Sequence, residues 1–426
     1  MKFILREYNM KFQKPKGTKD ILPKDIHKWH FVERTIREVT KLFNFSEIRT
    51  PVFEHTELFK RGVGIQTDIV GKEMYTFEDK GGDSLTLKPE GTAPVMRAYL
   101  ENSLSAESPL HKLYYVTSMF RFEKPQAGRY REHMQFGGEI IGSDSIYSDI
   151  ELILLAKEVY NRCGINNFKL KINSIGKPDE RKNYINVLKE YLKKNVMGLS
   201  DESKKRLDTN PLRILDSKDI NDIKITESAP KIPEHLGSES KNRFDNVVNE
   251  LAKLGVDFEV DFRVVRGLDY YTDTTFEFIS KDLGAQDALG GGGRYDGLIE
   301  QLGGKPTPGV GFGSGMERLI IVAEKNGFTF GEPSKPKVYF IALNDDAKEI
   351  AFRLMAELRK KNISCETDLL SRSMKSQMRE ANKMNSDYVY IIGEEEIQKG
   401  RGILKKMSDG SQTDTEFDKL WEQLSK

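Results

Sequence analysis

Cysteine is nearly absent: the 426 residues contain two, Cys163 and Cys365, far apart in the chain. At most one disulfide can form, so no cross-linked framework holds the fold, and no Cys/His spacing resembles a zinc site. No metal ligand is therefore assigned from the protein itself. Long apolar runs are missing too. No stretch approaches a membrane span, and the opening MKFILREYNMKFQKPKG has too short an apolar run for a secretory signal, so a cytoplasmic location is expected. Nor does one sign of charge dominate: 67 Lys and Arg face 66 Asp and Glu, a net charge of +1. Bulk attraction to nucleic acid is excluded, and any basic surface must be local. Internal repeats and low-complexity tracts are absent as well.

What is present reads as two or three domains, since the chain is too long for one ordinary core. A helical pattern carries Ile26, Phe31, Val32, Ile36, Val39 and Leu42, followed by SEIRTPVFEHTELF. Pro51 cannot donate to a ladder, which points to an edge strand or an interface. From Tyr75 to Gly142 strands and hairpin-type loops predominate, as in an antiparallel sheet. A helix over SDIELILLAKEVYNRCG ends at Gly164. Residues from about 171 to 255 turn polar, lysine-rich and mostly helical, which reads as an insertion within one sheet. Strand patterns return from Val260. GEPSKPK, residues 331–337, is a linker. Beyond it, residues 338–426 alternate strand and helix, as in a small α/β domain with a largely parallel sheet.

Three stretches carry chemistry. In TSMFRFEKPQAGRYREHMQFGGEIIG, Arg121 and Glu123 lie two apart on a strand and so share one face. A surface ion pair accounts for those two alone. The loop that follows holds Lys124, Gln126, Arg129 and Arg131, and the return strand brings Gln135 and Glu139 to the same surface. An arginine, two carboxylates and an amide on one face make a poor core and a good polar-ligand site. In GVGFGSGMERLI, glycine occupies positions 309, 311, 313 and 315, so one strand face has no side chains and a flat ligand can lie close. Gly315 leads into a helix with Arg318 in its first turn, suited to phosphate. No Gly-Lys-Ser/Thr follows, so this is not a Walker loop. In LTLKPEGTAPVMRAY, Thr92 reads as a helix N-cap, which leaves Glu90 unexplained. RVVRGLDYYTDTTFEF places Arg266, Tyr270 and Tyr271 at the head of a strand.

These stretches together resemble the class II aminoacyl-tRNA synthetases. The helix with RTPVFE is similar to their first motif, whose proline lies at a dimer interface. MFRFE with its return strand is similar to the second, and GVGFGSGMERL to the third. RGLDYYTDTTFEF and LGGGGRYDGL resemble the signature peptides of histidyl-tRNA synthetases, as do PKGTKDILP and the segment RSMKSQMREANKM to YVYIIGEEEIQKG. The resemblance runs in order over nearly the whole chain.

It implies an α+β catalytic domain with an antiparallel sheet over 1–330, a helical insertion, and an α/β anticodon-binding domain over 338–426. It implies a homodimer that joins L-histidine to ATP and then to tRNA(His), with Mg²⁺ on the phosphates. By resemblance, Arg266 and Arg121 act on the α-phosphate as catalytic residues. Glu90, Thr92, Gln135, Glu139, Tyr270 and Tyr271 bind histidine. Arg121, Glu123, Arg318, Gly315 and His133 bind ATP, and Lys124, Gln126, Arg129 and Arg131 meet tRNA. His133 stands where the family commonly has a phenylalanine, Lys16 where it has an arginine, and Asp273 where it has a glycine. The competing expectation is the non-catalytic synthetase-like regulatory subunit of ATP phosphoribosyltransferase. Such a chain is expected to lack the C-terminal domain and to lose the ATP-site arginines.

Overall fold

A computed structural model describes residues 12–64, 67–126, 128–284 and 287–425, in two compact units that divide after Gly331. The first is built on eight strands. In spatial order they are Ser46–Glu47, His111–Phe120, Glu132–Ile141, Gly309–Gly315, Ala288–Arg294, Thr272–Ile279, Lys169–Ser174 and Phe258–Val260. The outermost pair at each end is parallel, and every pairing between them is antiparallel.

The register sorts the residues by face. Tyr114, Gly138, Phe312, Gly292, Phe276 and Ile172 align in one row across six strands. That row is apolar, and its face packs against the helices Ile26–Leu42, Ile146–Arg162, Ser238–Lys253 and Met316–Lys325. The first of these helices buries Trp29, Val32, Ile36 and Val39, spaced three and four apart along one stripe. The second starts where the Ser145 hydroxyl accepts the Tyr147 N–H at 3.3 Å and ends before Gly164, at φ +74°. The neighbouring rows emerge on the other face because strand side chains alternate. One holds Tyr115, Gly137, Gly313, Gly291 and Glu277, and the next holds Glu139, Gly311, Gly293 and Thr275. Glycines and hydrogen-bonding groups there leave a polar face with room above it.

Several expectations need correction. The strands Phe53–His55, Ser84–Leu87 and Tyr75–Glu78 form a separate three-stranded sheet instead of extending the large one. Pro51 lies outside any strand, between Ser46–Glu47 and Phe53–His55, each an edge of its sheet. Residues 169–174 are a full sheet strand, so the helical run starts at Pro178 and not near 171. At its far end, the helix Ser238–Lys253 belongs to the main core, burying Phe244, Val247 and Leu251 there. The lysine-rich surface of the segment hid that apolar stripe.

The second unit orders its strands Cys365–Thr367, Val338–Ala342, Tyr388–Ile392, Arg401–Lys406 and Gln412–Glu416. The first three are parallel, and the last two add an antiparallel hairpin. Val338, Phe340 and Ala342 face the helix Asp345–Lys360, whereas Tyr339 and Ile341 face the helix Met374–Lys383. Among the described residues no helix is long and apolar enough to cross a membrane.

Candidate active site

A cleft of about 1170 Å³ opens over the polar face of the large sheet. Its floor is the strands just described. Its walls include residues 264–271 and the loop after Phe120, and Arg206, Arg213 and Lys218 of the helical segment line it from the other side.

One end of the cleft is lined by Glu90, Thr92 and Gln135, with Glu139 bonded behind Thr92. Glu139 is fully buried; it accepts a hydrogen bond from the Thr92 hydroxyl at 2.8 Å and one from the Tyr295 hydroxyl at 2.5 Å. Burial pushes its carboxyl up to about 8, against the pull of those two donors. The strand glycines make this possible. A Cβ on Gly311 would sit 1.7 Å from the Glu139 carboxylate, and one on Gly313 would sit 2.1 Å from the Gln135 amide nitrogen. The glycine-bearing face is thus filled by its neighbours' functional groups. Gly311→Ala is expected to displace Glu139 and abolish amino-acid binding while leaving ATP binding within about twofold, because the clash is confined to that end. Equilibrium dialysis with each ligand would check it.

Glu90 is 3% exposed, and its oxygens accept the backbone N–H groups of Thr92 and Ala93, both at 2.8 Å. Glu90 therefore supplies the capping group of the helix Thr92–Glu101, and Gly91 is its N-cap residue. Thr92 is not the cap; its hydroxyl is turned to Glu139 instead. The Tyr270 hydroxyl adds a 3.3 Å bond to Glu90. Tyr270 packs against Tyr271 and Tyr295, with ring centroids 4.7 and 5.7 Å away. Gln135 donates to the Tyr115 hydroxyl at 3.2 Å. Tyr115 and Tyr295 were not singled out in the sequence. Tyr295 sits in the LGGGGRYDGL peptide, and Tyr115 alternates with Leu113 and Thr117 on the cleft face, so both signals were there.

Toward the other end lie the arginines. The strand stops at Phe120, so Arg121 and Glu123 are not strand neighbours. Arg121 donates to the Pro89 carbonyl at 2.7 Å, and Glu123 pairs with Arg129. Arg131 stacks 3.8 Å over the Phe122 ring and donates to the Glu123 carbonyl, and Arg129 is half-buried, while Lys124 and Gln126 are exposed. Arg129 is lowered to about 10 by burial, then by the charges of Arg318 and Arg121. Arg318 is lowered by burial too, with Glu277 opposing and Arg121 adding. Positive charge crowded in this way suits a polyanion. His133 is pushed down to about 3 by burial and then by Arg121, so it presents a neutral ring to the cleft. Gly315 is the N-cap of the helix bearing Arg318. Glu317, also missed, accepts the Met134 N–H at 2.9 Å and joins that helix to the return strand.

Arg266, Tyr270 and Tyr271 precede the strand, which begins at Thr272. Their segment makes no ladder bonds, and Asp273 leaves it at φ +46°, the left-handed region that explains a glycine there in similar sequences. Arg266 lies over Gly291, where a Cβ would be 2.6 Å from one guanidinium nitrogen. It donates to Glu277 at 3.1 Å, and its buried Nε has no hydrogen-bond partner.

Comparison with known proteins accords with this geometry. A family model described as histidyl-tRNA synthetase matches residues 17–319, and one described as anticodon binding domain matches 337–426. A histidine–tRNA ligase of Caldanaerobacter subterraneus is 49% identical over 95% of this chain and 97% of its own length. The chain belongs to the histidyl-tRNA synthetase family. Another histidine–tRNA ligase, from Chloroherpeton thalassium, is 52% identical over 95% of this chain and 96% of its own. The apo histidyl-tRNA synthetase of S. aureus superposes with a TM-score of 0.81 at 35% identity, covering 97% of this chain and all of that one.

Proposed function

We propose that the cleft condenses L-histidine with ATP to histidyl-adenylate and passes the histidyl group to the 3′ end of tRNA(His). The activity is that of a histidine–tRNA ligase, with histidine, ATP and tRNA(His) as substrates. The matched anticodon-binding domain and the arginines in the cleft weigh against the non-catalytic regulatory subunit. The observation that carries the assignment of roles is one cleft lined by Glu90, Thr92 and Gln135 and also by Arg121, Arg266 and Arg318, with Glu139 bonded behind Thr92.

Glu139 accepts from Thr92, Tyr295 and Tyr115 and keeps one acceptor position for an imidazole N–H. Tyr270 and Tyr271 enclose the ring, with a hydroxyl for its other nitrogen. Glu90 has one acceptor position left for the ammonium group, which Thr92 and Gln135 also face. A histidine carboxylate oxygen attacks the α-phosphorus, the new O–P bond forms, and pyrophosphate leaves. Arg266 and Arg121 stabilise the charge that develops there. Arg318 takes the outer phosphates, Glu123 the adenine amino group, and the neutral His133 ring stacks on the base beside Gly315. A terminal ribose hydroxyl of tRNA then attacks the carbonyl, and AMP leaves. No side-chain nucleophile is needed, so catalysis is positioning and electrostatics.

Among the described residues no cluster of three or more His, Cys, Asp or Glu side chains could hold a metal ion. Mg²⁺ fits in the manner usual for it, on substrate phosphates with one or two carboxylates, and it would neutralise phosphate charge. Glu277 and Asp287, which both act on Arg318, would be those carboxylates. Lys124 and Gln126 remain for the acceptor end of tRNA; Arg129 and Arg131 are engaged in or beneath the loop. Residues 331–337 serve as the linker and 338–426 read the anticodon.

We also infer a homodimer formed through the Pro51 region. Two sheet edges flank Pro51, and Val52, Phe53 and Phe77 are 46%, 47% and 44% exposed there. Sedimentation at micromolar concentration should give twice the chain mass of 48.7 kDa. A monomer would contradict the interface. The activity itself is tested by ATP–pyrophosphate exchange with each of the twenty amino acids. Exchange with histidine alone is expected, and exchange with another amino acid would overturn the pocket assignment.

A further inference from the structure

The loop that supplies Tyr270 and Tyr271 is held from outside the cleft. Residues 266–271 form no ladder, so their backbone carbonyls need other partners. Arg181 provides them. One guanidinium nitrogen donates to the Tyr271 carbonyl, and another reaches the Asp269 carbonyl at 3.4 Å. From the other side, the Asp269 N–H is tied to the Val63 carbonyl at 3.0 Å.

Arg181 stands near the start of the helix Pro178–Lys194, the first helix of the helical segment. That helix is rigidly based. Glu180 accepts the N–H groups of Lys177 and Gly237 at 2.9 and 2.7 Å, and the Gly176 carbonyl accepts the Asp273 N–H at 3.1 Å. Its buried residues Tyr184, Leu188 and Leu192 share one apolar cluster with Tyr270, Tyr271 and Tyr295. Apolar packing fixes the distance between helix and loop but not the orientation of a peptide; a two-pronged donor does both.

We propose that Arg181 is a positioning residue for histidine selection: by gripping the Asp269 and Tyr271 carbonyls it sets the two tyrosines and links the helical segment to the amino-acid pocket. The proposal rests on the reading of that pocket as the histidine site. It separates Arg181 from the residues that touch substrate, since its partners are main-chain atoms on the far side of the loop. The segment that lines the cleft roof with Arg206, Arg213 and Lys218 then acts on amino-acid affinity through one side chain.

The test is steady-state ATP–pyrophosphate exchange on the full-length wild type, Arg181→Ala and Arg181→Lys. In the alanine variant, the KM for histidine should rise about tenfold or more, since a charge-assisted pair of hydrogen bonds is lost. The KM for ATP should stay within about twofold, because Arg121 and Arg318 stand on other elements than the loop that Arg181 holds. Lysine keeps the charge but reaches one carbonyl, so its rise should be smaller, about threefold. A generally weakened fold would lower the active fraction and leave both KM values alone. An unchanged KM for histidine in the alanine variant overturns the proposal. If that variant does not fold, an unchanged KM for histidine in the folded lysine variant does so. Wild-type protein without histidine-dependent exchange would overturn the pocket reading and this proposal together, whereas an active wild type with an unaltered variant overturns this one alone.

Discussion

Replacing Arg266 by alanine is expected to cut histidine-dependent ATP–pyrophosphate exchange by about 10²–10³-fold, the usual cost of removing one preorganised donor from a developing oxyanion. Histidine should still bind, with a change of under about tenfold, because Arg266 lies beside the Tyr271 ring, 5.8 Å from its guanidinium, while Glu90 and Glu139 are held by other residues. The physical basis is the way Arg266 is held. Glu277 fixes one of its nitrogens, and the space above Gly291 accepts the guanidinium plane. Its Nε is buried with its hydrogen-bond capacity unused, a state that costs free energy in the folded protein unless something else recovers it. A substrate oxygen recovers it, and recovers most when that oxygen carries most charge, in the transition state. Arg266→Lys should fall between, since an ammonium keeps the charge but cannot hold Glu277 and substrate in one plane. Pre-steady-state measurement of adenylate formation, with histidine affinity by dialysis, separates the two effects. A loss of only a few-fold in exchange would remove Arg266 from the catalytic role.

How far the sequence foretold this site differs from residue to residue, and the reasons are physical. Gln135, Glu139 and Arg318 were legible because spacing along a strand or a first helical turn decides which way they face, whereas Arg121 was read from a strand that stops one residue short of it. Tyr295 lay within a signature peptide but its role was not legible, since its bond to Glu139 depends on the register between Ala288–Arg294 and Gly309–Gly315, which no local pattern states. Thr92 was misread because a threonine before an apolar helix is usually a cap. Here a carboxylate two residues earlier does the capping and frees the hydroxyl. The helix Ser238–Lys253 was assigned to the insertion because its exposed lysines outweighed the stripe Phe244, Val247, Leu251. The C-terminal hairpin went unread although Asp409-Gly410 marks its turn, with Gly410 at φ +75°. The general architecture, by contrast, was carried by motif order along the chain, which survives errors in single boundaries.

Glu139→Gln should produce the second large effect, and in two opposite directions. For activity, kcat/KM for histidine is expected to drop about 10³-fold or more, as at sites built to pair a substrate's polar hydrogens. The amide offers one oxygen in place of two, so Thr92, Tyr295 and an imidazole N–H compete for fewer acceptors. For stability of the ligand-free protein, the same change should be favourable, and increasingly so as pH rises. The unfolded chain releases this proton near 4.5, whereas burial holds it in the folded chain up to about 8. Between those two pH values the folded state binds more protons than the unfolded one. The contribution of Glu139 to stability therefore falls as pH rises through that window. Glutamine has no proton to lose. The melting temperature of the variant minus that of the wild type should thus become more positive from pH 5 to pH 8.5. Taking the difference between two pH values cancels the pH-independent cost of the altered hydrogen bonds. Saturating histidine should shrink the pH dependence in the wild type alone, because donors from the ligand favour the carboxylate. Parallel melting profiles across that range would mean that Glu139 is ionised in the empty pocket. The pocket would then be a site prepared for substrate by hydrogen bonding alone, and not one that holds a reluctant charge in reserve for it.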